Sequence, residues 1–207
     1  MNQNYHKLCL EEISKLKYPK KILLHSCCAP CSSYVITFLT NYFDITILYY
    51  NPNIAPKEEY EKRKQEQIKL INTLNTKHKL DFLDCDYDND LYNNKIIGYE
   101  KYPEGSSRCH ICFNLRLEKT AILAKKNNYD YFCSTLTVSP HKNSKIINEI
   151  GQNLSQIHNI KWLYSDFKKN EGFKQSIELS KKYKLYRQDY CGCIYSKRTK
   201  EKQGLLA

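Results

Sequence analysis

An α/β fold with a doubly wound, mainly parallel sheet and helices on both faces is what this sequence predicts. Three observations carry the prediction. Short apolar, β-rich runs alternate along the chain with charged stretches of helical spacing. The first such run, Lys21 to His25, ends in Cys27, Cys28 and Cys31, at the strand-to-helix turn where α/β proteins place their chemistry. No internal repeat or low-complexity linker divides the 207 residues, a length that suits one sizeable domain. We expect a single domain over 1–207, with a sheet-and-helix core at 20–165 and a basic extension, 166–207, packed on the active edge.

Residues 1–20 read as a lead-in helix with Leu8, Ile13 and Leu16 on its apolar side and Pro19 ending it. The first strand is Lys21 to His25. A helix from Ser32 to Thr40 turns Val35, Phe38 and Leu39 inward. Asp44 to Tyr50 is the second strand, punctuated by Asn51-Pro-Asn-Ile-Ala-Pro56. Lys57 to Asn75 is a charged helix with Tyr60, Ile68, Ile71 and Leu74 at roughly helical spacing. Leu80 to Leu83 is the third strand, followed by an acidic turn.

Residues 91–108 read as an irregular connection containing Pro103 and Gly105. Ser106 or Ser107 then caps a helix that carries Cys109 and Cys112 in its first turn, with Phe113, Leu117, Ala121 and Ala124 inward. Tyr129 to Ser134 is the fourth strand, Thr135 to Lys142 a loop, Ser144 to about Gln156 a helix and Ile160 to Tyr164 the fifth strand. One more helix falls within 165–185. Right-handed crossovers bring the carboxyl ends of the strands to one edge, where the cysteine turn and the loop after strand four meet.

The formal charge is +11, from 33 Lys and Arg against 22 Asp and Glu. That balance favours a polyanionic partner, nucleic acid first. A compositional bias towards Lys, Asn, Ile and Tyr would produce part of it without any partner. Between Lys181 and Lys202 eight cations face only Asp189 and Glu201, and Tyr183, Tyr186, Tyr190 and Tyr195 are interleaved with them. Cations for phosphates beside rings for bases suit flexible RNA. No apolar run is long enough for a membrane span, and Met1 to Leu10 lacks a signal-peptide core. A cytoplasmic protein with no membrane partner is expected, and its ten cysteines then point to metal or redox chemistry rather than a disulfide scaffold.

Cys27-Cys28 and Cys109-x-x-Cys112 offer four thiolates in two pairs, as zinc or an iron–sulfur cluster requires. Cys28-Ala-Pro-Cys31 with Cys109 and Cys112 is the structural-zinc alternative. Adjacent Cys27 and Cys28 suit a cubane better than one tetrahedral ion. Cys191-Gly-Cys193 would form a tight, easily reduced disulfide ring or ligate a metal. Cys9, Cys85 and Cys133 read as buried small hydrophobes, although Cys133 ends a strand on the active edge.

Several motifs resemble the QueH-type epoxyqueuosine reductases. They are Leu24-His-Ser-Cys27-Cys28-Ala-Pro-Cys31-Ser32, Tyr50-Asn-Pro-Asn53, Glu59-Tyr60, Arg108-Cys109-His-Ile-Cys112-Phe-Asn-Leu-Arg116-Leu117, Ser134-Thr-Leu-Thr-Val-Ser139-Pro-His-Lys142 and Tyr186-Arg187-Gln-Asp189-Tyr-Cys191-Gly-Cys193. They run in order from about residue 20 to 200. The resemblance implies a Rossmann-like (HUP-like) sheet. It also implies two-electron reduction of epoxyqueuosine to queuosine at the wobble position of tRNA, the last step of queuosine synthesis. The first turn has no glycine-rich phosphate loop, so ATP use is not implied.

By the same resemblance a 4Fe-4S cluster is held by Cys27, Cys28, Cys109 and Cys112, and Cys191 and Cys193 form a redox-active pair. One additional iron is implied, with Cys31, Asp189 and the Cys191/Cys193 pair as candidate ligands. The cofactor supplies electrons and Lewis acidity. His25, Asp189 and His141 are the candidate proton donors. Arg108, Arg116, Lys142 and Arg187 are candidates for anticodon phosphates, and Tyr190 for stacking on a base. The partners are tRNA carrying epoxyqueuosine and an electron donor that the sequence does not name. Two rivals remain: a thiol–disulfide oxidoreductase using Cys28-Ala-Pro-Cys31, and a zinc-stabilised RNA-binding module.

Overall fold

In the computed structural model, which describes residues 3–204 with side chains through Thr199, five parallel strands form one sheet in the order β3-β2-β1-β4-β5. The strands are β1 (Lys20–His25), β2 (Phe43–Leu48), β3 (Leu80–Leu83), β4 (Tyr131–Ser134) and β5 (Lys161–Trp162). The helices are α1 (Tyr5–Ser14), α2 (Ala29–Leu39), α3 (Lys57–Thr73), α4 (Asn89–Lys95), α5 (Ser107–Lys126), α6 (Ser144–His158), α7 (Gly172–Lys182) and α8 (Ile194–Gly204). This is the doubly wound, Rossmann-like arrangement that the alternating runs predicted. β1 pairs with β2 from Lys20↔Phe43 to His25↔Leu48, and with β4 from Ile22↔Tyr131 to His25↔Ser134. The chain winds outward from β1 to β3 on one side, then returns to place β4 on the other. The crevice between the ends of β1 and β4 is therefore the topological switch point, the usual ligand position in such sheets.

Successive strand side chains point to opposite faces. Ile22 and Leu24 of β1 join Val35 and Leu39 of α2 and Leu70 of α3 in one core layer. Leu23 of the same strand joins Phe113, Leu117, Ala121 and Ala124 of α5 and Ile147 and Leu154 of α6 in the other. The expected inward face of α5 is buried as read from its spacing, and each large apolar side chain sealed there contributes about 2 kcal/mol.

The elements depart from the sequence reading at informative places. The inward face of α1 is Tyr5, His6, Cys9 and Ile13, with Leu8 only half-buried. Asn4 sets that phase, its side chain accepting from the Lys7 N–H as N-cap. α2 begins at Ala29, three residues before the expected start, because Pro30 is well suited to a first turn. The region expected to be irregular holds the short α4, whose Asn and Asp content gave little helical signal and which buries only Tyr92. β5 shrinks to two residues, and the tail expected to be an extension carries α8. The side chains of Lys200 and Lys202, counted above in the basic segment, lie outside those described.

Candidate metal centre

Cys27 lies two residues past the end of β1 and Thr135 one past the end of β4, so the strand register brings them together. The Cys27 N–H donates to Thr135 Oγ1 at 3.3 Å, and its sulfur lies 3.6 Å from the same hydroxyl. Cys28 occupies the N-cap of α2 in extended geometry, and Cys31 lies in the first turn. The three sulfurs of Cys27, Cys28 and Cys31 all lie within 4.8 Å of one another. The Cys27 and Cys28 sulfurs are 3.8 Å apart. Neighbouring thiols that can donate to Cys27, helped by Lys142, hold its pKa well below the ordinary thiol value. Its charge in turn pushes Cys28 up to about 12 and Cys31 up as well. Three sulfurs this close favour a thiolate among them, and a thiolate is the form that ligates a metal.

Behind this turn, Ser26 Oγ and Ser32 Oγ both donate to Gln67 Oε1 of α3, at 2.6 and 2.8 Å. Asn51 Nδ2 donates to the Ser26 carbonyl at 2.8 Å. These bonds fix the turn from behind without touching the sulfurs.

The second thiol group comes from α5 and the C-terminal segment. Cys109 and Cys112 lie in the first two turns of α5, and the Gly105 N–H donates to the Cys109 sulfur at 3.2 Å. Burial pushes both thiols up, Cys112 to about 12, with Arg116 opposing the shift at Cys112. Cys109, Cys112, Cys191 and Cys193 line one narrow pocket of about 20 Å³ with Arg116 and Lys142. Cys27, Cys31, Cys191, Arg116 and Lys142 line an adjoining cavity of about 630 Å³. Cys191, Arg116 and Lys142 thus border both spaces, and the structure brings six of the seven candidate cysteines to their walls, with Cys28 behind Cys27. All ten cysteines are free thiols here.

Arg116 and Lys142 were expected on phosphates. Arg116 is instead 2% exposed. Its Nε donates to the Cys112 carbonyl at 3.1 Å, its Nη1 lies 3.5 Å from Asn51 Oδ1, and its Nη2 has no partner. It is a fixed cation among thiols. Lys142 is half-buried; burial opposes its charge, yet Cys191, Cys27 and Cys31 hold its pKa above the usual lysine value. Arg108 is a further correction. It is buried, donates to the Glu100 carbonyl at 2.7 Å and to the Tyr102 carbonyl, and so ties down the connection before α5. Arg187 is exposed at the cavity rim, as a phosphate contact requires.

His25, a candidate proton donor, is buried, and both ring nitrogens are engaged, Nδ1 with Ser134 Oγ at 2.9 Å and Nε2 with the Tyr50 carbonyl at 3.1 Å. Burial, aided by Arg116, lowers its pKa to about 3, so it is neutral and serves as a pin between strands. Asp189 and His141 do reach the cavity wall and are exposed. Tyr190 lies on the same wall, but its hydroxyl donates to the Ala55 carbonyl at 3.1 Å and its ring lies against Arg63. Cys133 is sealed in the core, its sulfur turned to the Leu163 carbonyl at 3.4 Å. The thioredoxin-like alternative fares poorly, because Cys28 is buried with its pKa raised and is not a ready nucleophile.

Sequence reasoning missed Thr135, Gln67, Glu104, Phe173 and Ser176. Glu104, Phe173 and Ser176 line the larger cavity. Gln67 left a signal, since a polar residue between Tyr60 and Leu70 on the inward stripe of α3 needs a buried partner.

A family model described as epoxyqueuosine reductase QueH matches residues 22–199. A Staphylococcus epidermidis protein named epoxyqueuosine reductase QueH is 44% identical over 200 residues, covering 93% of this chain and 84% of that protein. A protein of the same name from Streptococcus pyogenes serotype M1 is 45% identical over 177 residues, 84% of this chain and 69% of its own. One from Thermotoga maritima is 34% identical over 175 residues, 84% and 89%.

Proposed function

This chain belongs to the epoxyqueuosine reductase QueH family, and on that premise we propose that its two thiol groups hold a 4Fe-4S cluster facing the wobble nucleoside of tRNA. Family membership makes it an oxidoreductase of queuosine biosynthesis with a tRNA substrate. The carrying observation is that thiols from two distant elements line two adjoining cavities that share Cys191, the buried Arg116 and the half-buried Lys142. Cys27, Cys28, Cys109 and Cys112 are the ligands in this reading, with Cys31, Asp189 and the Cys191/Cys193 pair available to one additional iron. The fit is chemical. A cluster with four thiolates is net negative, and Arg116, with a free Nη2, supplies a permanent positive charge beside it. Bound there, such a cluster would pass on, one at a time from an external electron donor, the two electrons that conversion of an epoxide to an alkene consumes.

The protein's own residues do the rest. Two carbon–oxygen bonds break, and the oxygen leaves as water after taking up two protons. Lys142 and Arg116 present positive charge to an oxygen in the cavity and favour its departure. Asp189 and His141 stand at the rim where a proton must be delivered. Val138 and Phe173 form an apolar wall that limits water. Cys191 and Cys193 border the space between substrate and ligands, where a redox-active pair would act. Arg187 and the basic C-terminal segment meet the anticodon backbone. No helix among the described residues is long and apolar enough to cross a membrane, and a tRNA substrate suits the cytoplasm.

Three sulfurs within 4.8 Å also suit a single ion, so metal identity decides between a cluster and structural zinc. Anaerobically purified protein is expected to be brown, with about four irons and matching sulfide. Colourless protein with stoichiometric zinc overturns the cluster. Cells deleted for this gene are expected to accumulate epoxyqueuosine in tRNA, and normal queuosine there, in the absence of a second reductase, overturns the assignment.

A further inference from the structure

One face of α3 carries a ladder of polar side chains that lie behind the cavity rather than in it. Lys69 Nζ donates to the Lys184 carbonyl at 3.3 Å. Glu66 Oε2 accepts from the Tyr186 N–H at 2.9 Å. The Glu59 carboxylate accepts from the Tyr186 hydroxyl at 3.2 Å and from Arg63 Nε at 2.7 Å. Arg63 Nη1 donates to the Cys191 carbonyl at 3.1 Å and Nη2 to the Tyr190 carbonyl at 3.4 Å. Its guanidinium carbon sits 4.9 Å from the Tyr190 ring centroid. Spacings of three and four residues put Glu59, Arg63, Glu66 and Lys69 on one helix face. The C-terminal segment 184–192 is laid along that face.

The residues before α3 grip the same segment. The Ala55 N–H donates to the Gly192 carbonyl at 3.0 Å, and the Tyr190 hydroxyl returns the contact to Ala55. Gly192 has φ +132°, and a Cβ there would lie 2.9 Å from Ile54 Cγ1 and 3.1 Å from Arg63 Nη1. Both the backbone angle and the close approach require glycine between the two cysteines. Arg63 is 2% exposed. A buried guanidinium is costly unless it is paired and hydrogen-bonded, and here each of its three nitrogens has a partner, a carboxylate for Nε and a backbone carbonyl for each of the other two.

One turn on, Gln67 of the same helix holds Ser26 and Ser32, which flank the first thiol group. We propose that α3 is the spacer that sets Cys191 against the Cys27–Cys31 turn, and that Arg63 is the positioning residue at its Cys191 end. The inference rests on reading Cys191 as part of the functional site. It assigns Arg63 no contact with substrate or metal. Its effect passes through the backbone of Tyr190 and Cys191.

The test is site-resolved alkylation of the metal-free, reduced full-length chain with N-ethylmaleimide, followed by peptide mass spectrometry. Arg63→Met is expected to speed labelling of Cys191 about ten-fold by raising local opening of the segment, with Cys9 and Cys133 unchanged. Arg63→Lys, which keeps the charge but loses the planar fork, is expected between wild type and Arg63→Met. Gly192→Ala reaches the same end from the other partner and is expected to match Arg63→Met. In turnover on tRNA, Arg63→Met is expected to lower kcat with KM held within about two-fold, the sign of misplaced chemistry rather than lost binding. Unchanged Cys191 labelling in both Arg63→Met and Gly192→Ala overturns the proposal. If Arg63→Met speeds every cysteine alike, it is unfolded and Gly192→Ala decides by the same criterion. Wild-type chain that never reduces epoxyqueuosine would defeat the functional reading while leaving the labelling result standing.

Discussion

Arg116 and Cys112 lie one turn apart on α5, joined by the bond from Arg116 Nε to the Cys112 carbonyl at 3.1 Å, so a permanent cation is fixed against a buried thiol. Metal binding requires that thiol to lose its proton, and burial, with the neighbouring Cys191, Cys193 and Cys109, opposes the loss. Arg116→Met is expected to weaken metal retention roughly ten-fold, the usual cost of losing a group that orients or charges a ligand. Chelator competition followed by iron analysis measures it. Retention equal to wild type would show that the cation does not support the thiolates.

The cysteines divide by where their sulfurs point. Cys27→Ser and Cys112→Ser are each expected to remove bound metal. Cys133→Ala should keep it and lower stability by about 1 kcal/mol, the small cost of one lost core atom. Cys191→Ser is expected to stop turnover with iron content intact, and iron loss in that variant would make Cys191 a ligand. Metal analysis beside denaturant titration separates these outcomes.

Gly151 of α6 sits under the Trp162 indole of β5, and a Cβ there would lie 2.3 Å from the ring. The indole is held in place, since its Nε1 donates to Asn148 Oδ1 at 3.0 Å. Gly151→Ala is expected to cost about 1–3 kcal/mol by overpacking, despite alanine's better helix propensity. A denaturant midpoint at or above wild type would show that the indole can move aside.

Glu12 of α1 accepts from the Tyr131 hydroxyl of β4 at 2.7 Å, which together with Lys15 and Lys161 holds its pKa below the usual value of 4.5. A carboxylate lowered in the folded state stabilises it above the unfolded pKa and ceases to do so as pH falls through the folded one. The carboxylate is open to solvent, so the contribution is under about 1 kcal/mol. Glu12→Gln is expected to be less stable than wild type at pH 7, with the gap closing as pH falls through the lowered carboxylate pKa. A gap that persists in acid would assign the effect to packing rather than charge.

Strand and helix periodicity made the sheet and most helices legible, and β3 was read to the residue. The thiol turn was legible because three cysteines interrupt an apolar strand. What escaped were placements decided by tertiary partners. Arg108 and Arg116 look like any surface cation in sequence, and only packing of α5 against β1 and β4 shows them turned inward. Arg63 and Gln67 carried a readable clue, polar types on the buried stripe of α3, but their partners lie at Cys191 and Ser26, far off in the chain. His25 looked reactive because it adjoins cysteines, whereas the β1–β4 register hands it to Ser134.

The thiols that meet in the two adjoining cavities enter the nascent chain at very different times. Cys27, Cys28 and Cys31 leave the ribosome early, whereas Cys191 and Cys193 come some 160 residues later, about ten to thirty seconds at ordinary elongation rates. On the proposed ligand set, Cys27, Cys28, Cys109 and Cys112, the metal centre is complete well before that last pair emerges, so chains truncated before Tyr190 should still take up iron while failing to turn over.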